Sequence, residues 1–352
     1  MLSSPDTRSA GLGRRLRTAA RHLGPVLALA VPLSAAAQMP SDAEFQRVVD
    51  EAHAMFKDVT EGANANYIPI LDTVPSELFG VAIATRDGRV FTAGDVDYTF
   101  SIQSVSKPFT AALIMAQQGP EAVRDKIGVE PTGLPFNSQV AIQLYPERSV
   151  NPMVNAGAIA AVSLVEADDE EERWRLVKEN IERFAGEGLS LLEEVYQSEI
   201  DTAWSNRAIA WNLYNYGRLY AAPEESLRVY TKQCSIGVNT RNLAVMGATL
   251  ANGGVNPLTG QRLMPAEHVP ELLAIMATAG FYDESGEWLF EAGLPSKTGV
   301  GGGIVSVVPG RFAIAAFSPR LNEAGNSVRA LGAIRHIAGE LGAGLFGANP
   351  ER

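Results

Sequence analysis

Two pairs of short apolar runs, one near each end of the chain, limit the available folds more than any other feature. Residues 79–85 read as a buried strand, Arg86-Asp87-Gly88-Arg89 as a turn, and 90–93 as the antiparallel partner of that strand. Toward the other end, 302–308, the turn Pro309-Gly310 and 311–318 read as a second hairpin, with a helix to follow over about 326–341. Before the first hairpin, the spacing of Phe45, Val48, Val49, Ala52, Met55 and Phe56 predicts an amphipathic helix within 42–59. Between the hairpins the pattern is helical, over 104–117, 153–165, 170–184, 206–220, 223–230, 240–251 and 265–277. The fold class this predicts is α/β (α+β): one antiparallel sheet built from N- and C-terminal strands, flanked by helices, with an all-helical lobe inserted. In residue terms it is a single domain over 39–345, with a β-rich lobe of about 42–118 and 292–345, a helical lobe of about 119–291, and a tail over 346–352.

The chain has 352 residues, 46% of them hydrophobic and 20% charged, which suits a globular protein. Its net charge is −11, of which the first 38 residues contribute +4, so the remainder carries −11 − 4 = −15. That balance argues against nucleic acid or an anionic membrane as the main partner. A single cysteine, Cys234, excludes an internal disulfide framework. The histidines (His22, His53, His268, His336) lack metal-ligand spacing, and no metal or other cofactor is expected. The acidic run from Glu166 to Glu172 reads as a solvated helix start rather than a metal site.

Residues 1–38 stand apart. Arginines up to Arg21 precede an apolar run over 23–33 and then Ser34-Ala35-Ala36-Ala37-Gln38, small residues of the kind a signal peptidase cuts. This reads as a cleaved signal peptide and a periplasmic or secreted protein. An organellar transit peptide, or translation from Met39 giving a cytoplasmic protein, are the alternatives. The apolar run is short and broken by Pro32, so stable membrane insertion is not expected. N-terminal sequencing of the native protein distinguishes these readings.

In Phe100-Ser101-Ile102-Gln103-Ser104-Val105-Ser106-Lys107, a serine precedes a lysine by three positions at a helix start, so hydroxyl and amine share one face. A serine hydroxyl needs a base, and a lysine serves if burial lowers its pKa enough to populate the neutral amine. Alone this spacing is common. Ser296-Lys297-Thr298-Gly299, just before the 302–308 strand, is the usual companion of Ser-x-x-Lys in acyl-transferring serine enzymes. The backbone amides of Ser104 and of a residue near Val300 then make an oxyanion hole, and the glycines of Gly299-Val300-Gly301-Gly302-Gly303 let backbone approach a ligand. Serine β-lactamases and penicillin-binding proteins carry a third, Asn-bearing element. Ser149-Val150-Asn151 matches it formally, but Asn151-Pro152 looks like a turn and Asn155, where the next helix begins, is preferred.

Further blocks extend the pattern: Asn66-Tyr67-Ile68-Pro69, Pro135-Phe136-Asn137-Ser138, Asn151 through Ile159, Ser198-Glu199, Leu250 to Gly254, Gly280 through Gly286, Pro295 to Gly303, and Ser318-Pro319 through Gly325-Asn326-Ser327. Together, from about Asp42 to Leu345, they resemble the serine-dependent glutaminase family. The resemblance implies a fold like that of serine β-lactamases and penicillin-binding proteins, hydrolysis of L-glutamine, and a homo-oligomer (dimer or tetramer). It also implies a substrate site at Ser104, Asn155, Glu199, Asn206, Tyr230, Tyr282 and the backbone of Val300, with Lys107 and Tyr67 beside the nucleophile. The chemistry agrees: Glu199 can hold an ammonium, and Asn155, Asn206 and Tyr230 can hold a carboxylate.

The sequence departs from the family pattern at Ser205, where an arginine is common, in Thr202-Ala203-Trp204, and at Asn242 in place of a frequent aspartate. Two rivals stay open at this point. One is a β-lactamase or peptidoglycan peptidase on the same scaffold, and the other is a binding module that senses an amino acid without turning it over.

Overall fold

The computed structural model of the protein describes residues 39–144 and 150–347. The leader, the end of the tail and Ser149 of the Ser149-Val150-Asn151 match therefore lie outside the described residues. The two hairpins join in one antiparallel sheet, as the apolar runs predict, and a fifth strand that they do not predict extends its edge. Strands β1 (Gly80–Thr85) and β2 (Val90–Gly94) form the first hairpin. A two-residue ribbon pairs β3 (Phe100–Ser101) with β4 (Gly237–Val238), and β5 (Ser296–Thr298), β6 (Gly303–Val308) and β7 (Phe312–Phe317) follow near the end of the chain. The order in the large sheet is β2-β1-β7-β6-β5. The seam between the ends of the chain is the β1–β7 pair, with Gly80 opposite Phe317 and Thr85 opposite Phe312.

Every residue of β1, β6 and β7 is buried, because helices cover both faces of the sheet. Such strands read as continuous apolar runs rather than alternating ones. Val81, Ile83, Ile314 and Ala316 face the terminal helices Asp42–Phe56 and Val328–Glu340. Ala82, Ala84, Ala313 and Ala315 point the other way, toward the helix Thr240–Ala251. These small side chains admit that helix at close range. At Gly247 a Cβ would lie 2.6 Å from the Ala313 Cβ and 2.7 Å from Val305 Cγ2. One buried cluster runs from this face of the sheet into the helices Lys107–Gln118, Asn155–Leu164, Glu170–Ala185 and Pro223–Cys234.

The sequence pattern missed the helices Pro69–Asp72, Pro120–Lys126, Val140–Leu144, Glu193–Thr202 and Ser285–Glu291, the edge strand β5, and the β3–β4 ribbon. Glu193–Thr202 buries only Val195 and Glu199, so it has almost no apolar stripe to detect. It also placed the start of the 104–117 helix too early: residues Gln103–Ser106 form a 3₁₀ turn and the α-helix begins at Lys107.

Gly247→Leu is expected to destabilise the fold by about 1–3 kcal/mol or more through overpacking against the sheet, read as a lower denaturation midpoint in urea.

Candidate active site

The site forms where β3 runs into the 3₁₀ turn. Ser101 pairs with Gly237, and the Ile102 amide donates to the Ile236 carbonyl at 2.8 Å, so the ribbon fixes the entry to the turn. Gln103 then takes a left-handed conformation, φ +48°, that few side-chain-bearing residues adopt. A buried relay holds it there. The Ser106 hydroxyl donates to the Gln103 carbonyl at 2.6 Å, Gln233 Nε2 donates to Ser106 Oγ at 2.9 Å, and Thr110 Oγ1 donates to Gln233 Oε1 at 2.6 Å. With three residues per 3₁₀ turn, Ser104 and Lys107 lie on the same side. This turn is tighter than the α-helix that the sequence reading assumed there.

Lys107 is fully buried at the head of its helix. Its Nζ donates to Asn155 Oδ1 at 2.7 Å and lies 5.8 and 5.7 Å from the ring centres of Tyr230 and Tyr282. Burial lowers its pKa to about 8, against the opposing pull of Cys234 and Glu199. Asn155 is the hub of the site: its Oδ1 also accepts from the Tyr230 hydroxyl at 3.1 Å, and its Nδ2 donates to Asn206 Oδ1 at 2.8 Å. Asn151, the formal alternative, spends its side chain on a turn, accepting from the Met153 amide and donating to the Glu130 carbonyl.

Glu199 enters from the helix Glu193–Thr202. Burial raises its pKa to about 7, partly offset by a 3.0 Å bond from Gln103 Nε2 and by the charge of Lys107. Tyr282, on a second left-handed turn with φ +58°, is buried beside Ser104. Burial pushes its phenol above the ordinary value, while a hydrogen bond with the Ser104 side chain acts in the opposite direction. The Nζ of Lys297, also fully buried, donates to the carbonyls of Gly280 and Thr298 and lies 4.0 Å from the Tyr282 ring centre. Burial drives its pKa well below the lysine range, and the charge of Lys107 adds to that.

Backbone closes the site on one side. A Cβ at Gly301 would stand 2.3 Å from the Ser101 carbonyl oxygen and one at Gly299 3.1 Å from the Val105 amide, so the strip around Val300 reaches the Ser104 turn only because these residues are glycines.

One cavity of about 110 Å³ is lined by Tyr67, Gln103, Ser104, Asn155, Glu199, Asn206, Tyr230 and Val300 among others. Tyr282 and Lys107 stand behind this lining through their contacts to Ser104 and Asn155, and Tyr67 is half-exposed. Ser205 lines the cavity, as do Thr202 and Ala203. Asn242 lies outside that lining and caps the helix Thr240–Ala251, in a reciprocal pair with Asn239. A larger groove of about 440 Å³ lies alongside, but its walls are mainly aliphatic and aromatic and its acids, Glu193 and Glu194, are exposed. Convergent polar groups with displaced pKa values make the smaller cavity the candidate active site. Among the described residues no group of three His, Cys, Asp or Glu could hold a metal ion.

Gln103, which lines the cavity and bonds Glu199, is a residue that sequence reasoning passed over. It sits inside the Phe100–Lys107 block, but nothing in the periodicity distinguishes it from a surface amide.

The glutaminase family profile matches residues 62–346. The chain belongs to the glutaminase family. It is 51% identical over 310 residues to a glutaminase of Colwellia psychrerythraea, covering 88% of this chain and 100% of the relative. It is 50% identical over 303 residues to glutaminase 1 of Escherichia coli, covering 86% of this chain and 98% of the relative. Among solved structures, the probable glutaminase ybaS superposes with a TM-score of 0.86 at 50% identity, covering 87% of this chain and 99% of that one. A probable glutaminase from Bacillus subtilis, complexed with 6-diazo-5-oxo-L-norleucine, superposes at 0.77 with 30% identity, covering 88% and 97%. These neighbours place the antiparallel sheet and its helices in the fold shared with serine β-lactamases.

Proposed function

We propose that the protein is a glutaminase that hydrolyses L-glutamine to L-glutamate and ammonia through an acyl-enzyme on Ser104. The observation that carries this reading is the hydrogen-bonded path from Lys107 through Asn155 to Asn206, which links a buried amine to a pocket whose other side holds Glu199. A free amino acid is a zwitterion, and this pocket offers a carboxylate for its ammonium and amide and phenol donors for its carboxylate. A carboxylate bound there takes the place of Asn206 Oδ1 as acceptor for the Asn155 amide.

Neutral Lys107 takes the proton of Ser104, directly or through the Tyr282 hydroxyl beside it, with Tyr67 at the edge of the pocket as the alternative carrier. The Ser104 oxygen bonds to the side-chain carboxamide carbon, and the resulting oxyanion rests on the amides of Ser104 and Val300. The proton held by Lys107 passes to the leaving nitrogen, the C–N bond breaks and ammonia departs. Water then attacks the γ-glutamyl ester, its proton follows the same path in reverse, and the ester bond breaks to return the Ser104 hydroxyl and release glutamate. The route calls on no metal or organic cofactor. Its two charged requirements run in one direction with pH: Glu199 must lose its proton to hold an ammonium and Lys107 must lose its proton to act as base.

Two proposals accompany the activity. The first is that the leader over 1–38, which precedes the family match, exports the enzyme, with a start at Met39 and a cytoplasmic enzyme as the alternative; among the described residues no helix is long and apolar enough to cross a membrane. The second is that the enzyme is a homo-oligomer. The helix Trp204–Asn215 exposes Trp204, Trp211 and Tyr214 around an Arg207–Glu224 ion pair, which gives two copies an aromatic face on which to meet.

Ser104→Ala and Lys107→Ala are each expected to cut ammonia release from glutamine by about 10³-fold or more with the thermal midpoint nearly unchanged. Wild-type rates in either variant contradict the mechanism, and turnover of a penicillin but not of glutamine would replace the substrate. Trp211→Asp is expected to lower the mass seen by analytical ultracentrifugation, and an unchanged mass removes this face from the assembly.

A further inference from the structure

Two sequence blocks, Gly280 through Gly286 and Gly325-Asn326-Ser327, have so far contributed only Tyr282 to the chemistry. They meet at Glu284. Its Oε2 accepts from Asn322 Nδ2 at 3.2 Å and also from Asn326 Nδ2, and its Oε1 accepts from Asn322 at 3.4 Å. We propose that Glu284, clasped by these two asparagines, is a positioning residue that aims the Tyr282 hydroxyl at Ser104. The proposal rests on the reading of Tyr282 as the proton carrier beside the nucleophile.

The need for a clasp lies in the backbone. A tyrosine at φ +58° is strained by about 1–3 kcal/mol, and such a conformation persists only where its surroundings over-determine it. Bonds inside the turn supply part of that. The Ser285 hydroxyl donates to the Tyr282 carbonyl at 2.8 Å and accepts from the Phe281 amide at 3.0 Å, and the Glu284 amide donates to the Phe281 carbonyl at 3.0 Å. These bonds shape the turn without fixing where it sits relative to Ser104. Part of that placement comes from the β5 side, where the Gly280 carbonyl accepts from Lys297 Nζ at 3.0 Å and the Tyr282 hydroxyl donates to the Thr298 carbonyl at 3.4 Å; the Glu284 side chain adds a further tie, out of the turn to a separate loop.

The receiving loop is itself locked. The Asn326 amide donates to Asn322 Oδ1 at 2.9 Å, the Asn322 amide donates to the Asn326 carbonyl at 2.8 Å, and Asn326 is fully buried. Next to it, the Ser327 hydroxyl donates to the Ser318 carbonyl at 2.7 Å, just beyond the end of β7, so the loop is tied to the central sheet. The same loop touches the other side of the site. A Cβ at Gly325 would lie 3.4 Å from Val300 Cγ1 and 3.8 Å from the Phe136 ring, and that ring packs on Tyr282 with centres 5.0 Å apart. One loop thus gauges both the strip that carries the Val300 amide and the turn that carries Tyr282.

The partners are informative as well. An acid kept for charge pairing would face Lys or Arg, whereas Glu284 faces two neutral amides, whose directional donors fix its position. Glu284 binds the two asparagines and neither lysine of the site, so its influence on the proton path runs through geometry.

The test is a double-mutant cycle in steady-state glutamine hydrolysis. Glu284→Ala is expected to lower kcat about 10-fold or more with KM within about twofold, and Glu284→Gln, which keeps an acceptor oxygen, to recover most of that loss. In a Tyr282→Phe background, Glu284→Ala is expected to cost no more than about twofold further, because the hydroxyl it positions is already gone. Asn322→Ala, which removes one donor of the clasp, should give a smaller loss of the same kcat-selective kind and serves if Glu284→Ala does not fold. A slow Tyr282→Phe with a wild-type Glu284→Ala, or a full additive loss in the double variant, overturns the clasp alone. A wild-type Tyr282→Phe overturns the role of Tyr282 and the clasp together.

Discussion

The burial of the Lys107 amine is the constraint on which the rest of the site depends. A lysine taken out of water loses hydration that an ammonium holds strongly, and the fall of its pKa to about 8 corresponds to roughly 3 kcal/mol against the charged form. The fold sustains that cost with close packing and one directed acceptor, Asn155 Oδ1 at 2.7 Å. Because Asn155 also binds Tyr230 and Asn206, the amine is mechanically tied to the cavity lined by Asn206 and Glu199. Sheet, nucleophile turn and helical insert all converge on this amine.

Around it the backbone is strained at chosen points. Gln103 and Tyr282 both adopt left-handed conformations, one immediately before the serine and one beside it. Each is held by a polar network that does not itself line the pocket, the Ser106–Gln233–Thr110 relay behind Gln103 and the Ser285 bonds at Tyr282. Strain placed where chemistry occurs, and held by buried hydrogen bonds outside it, fits preorganisation of reacting groups. The glycines at 299 and 301 complete the arrangement by letting one backbone segment press on another.

The sheet was legible because β1, β6 and β7 are buried on both faces, so their sequences are largely apolar runs ending at turns, broken within β6 only by Ser306. The long helices were legible through their apolar spacing. The helix carrying Glu199 was not, since its buried face holds little more than Val195 and the glutamate itself. The 3₁₀ turn at Ser104 was also invisible, because α and 3₁₀ spacing both bring residues three apart together. Of the site, Ser104, Lys107 and the Lys297-Thr298-Gly299 strip could be argued from local chemistry, whereas Asn155, Glu199, Asn206 and Tyr230 come from separate helices. Their convergence is a property of the tertiary fold, and only the resemblance to a family brought them together at the level of sequence. Gln103 escaped even that, since its role depends on a backbone conformation that no sequence pattern marks.

The central claim is that Lys107 exists partly as a neutral amine near neutral pH and therefore can take the proton of Ser104. An NMR titration of protein labelled with ¹³C at the lysine ε-carbon tests it most directly, with Lys107→Arg assigning the signal. A resonance that titrates near pH 8 and vanishes in Lys107→Arg is the expected result. A Lys107 signal that titrates at about the ordinary lysine value of 10.4 would contradict the account, because the amine would then be charged throughout the working range and unable to act as base.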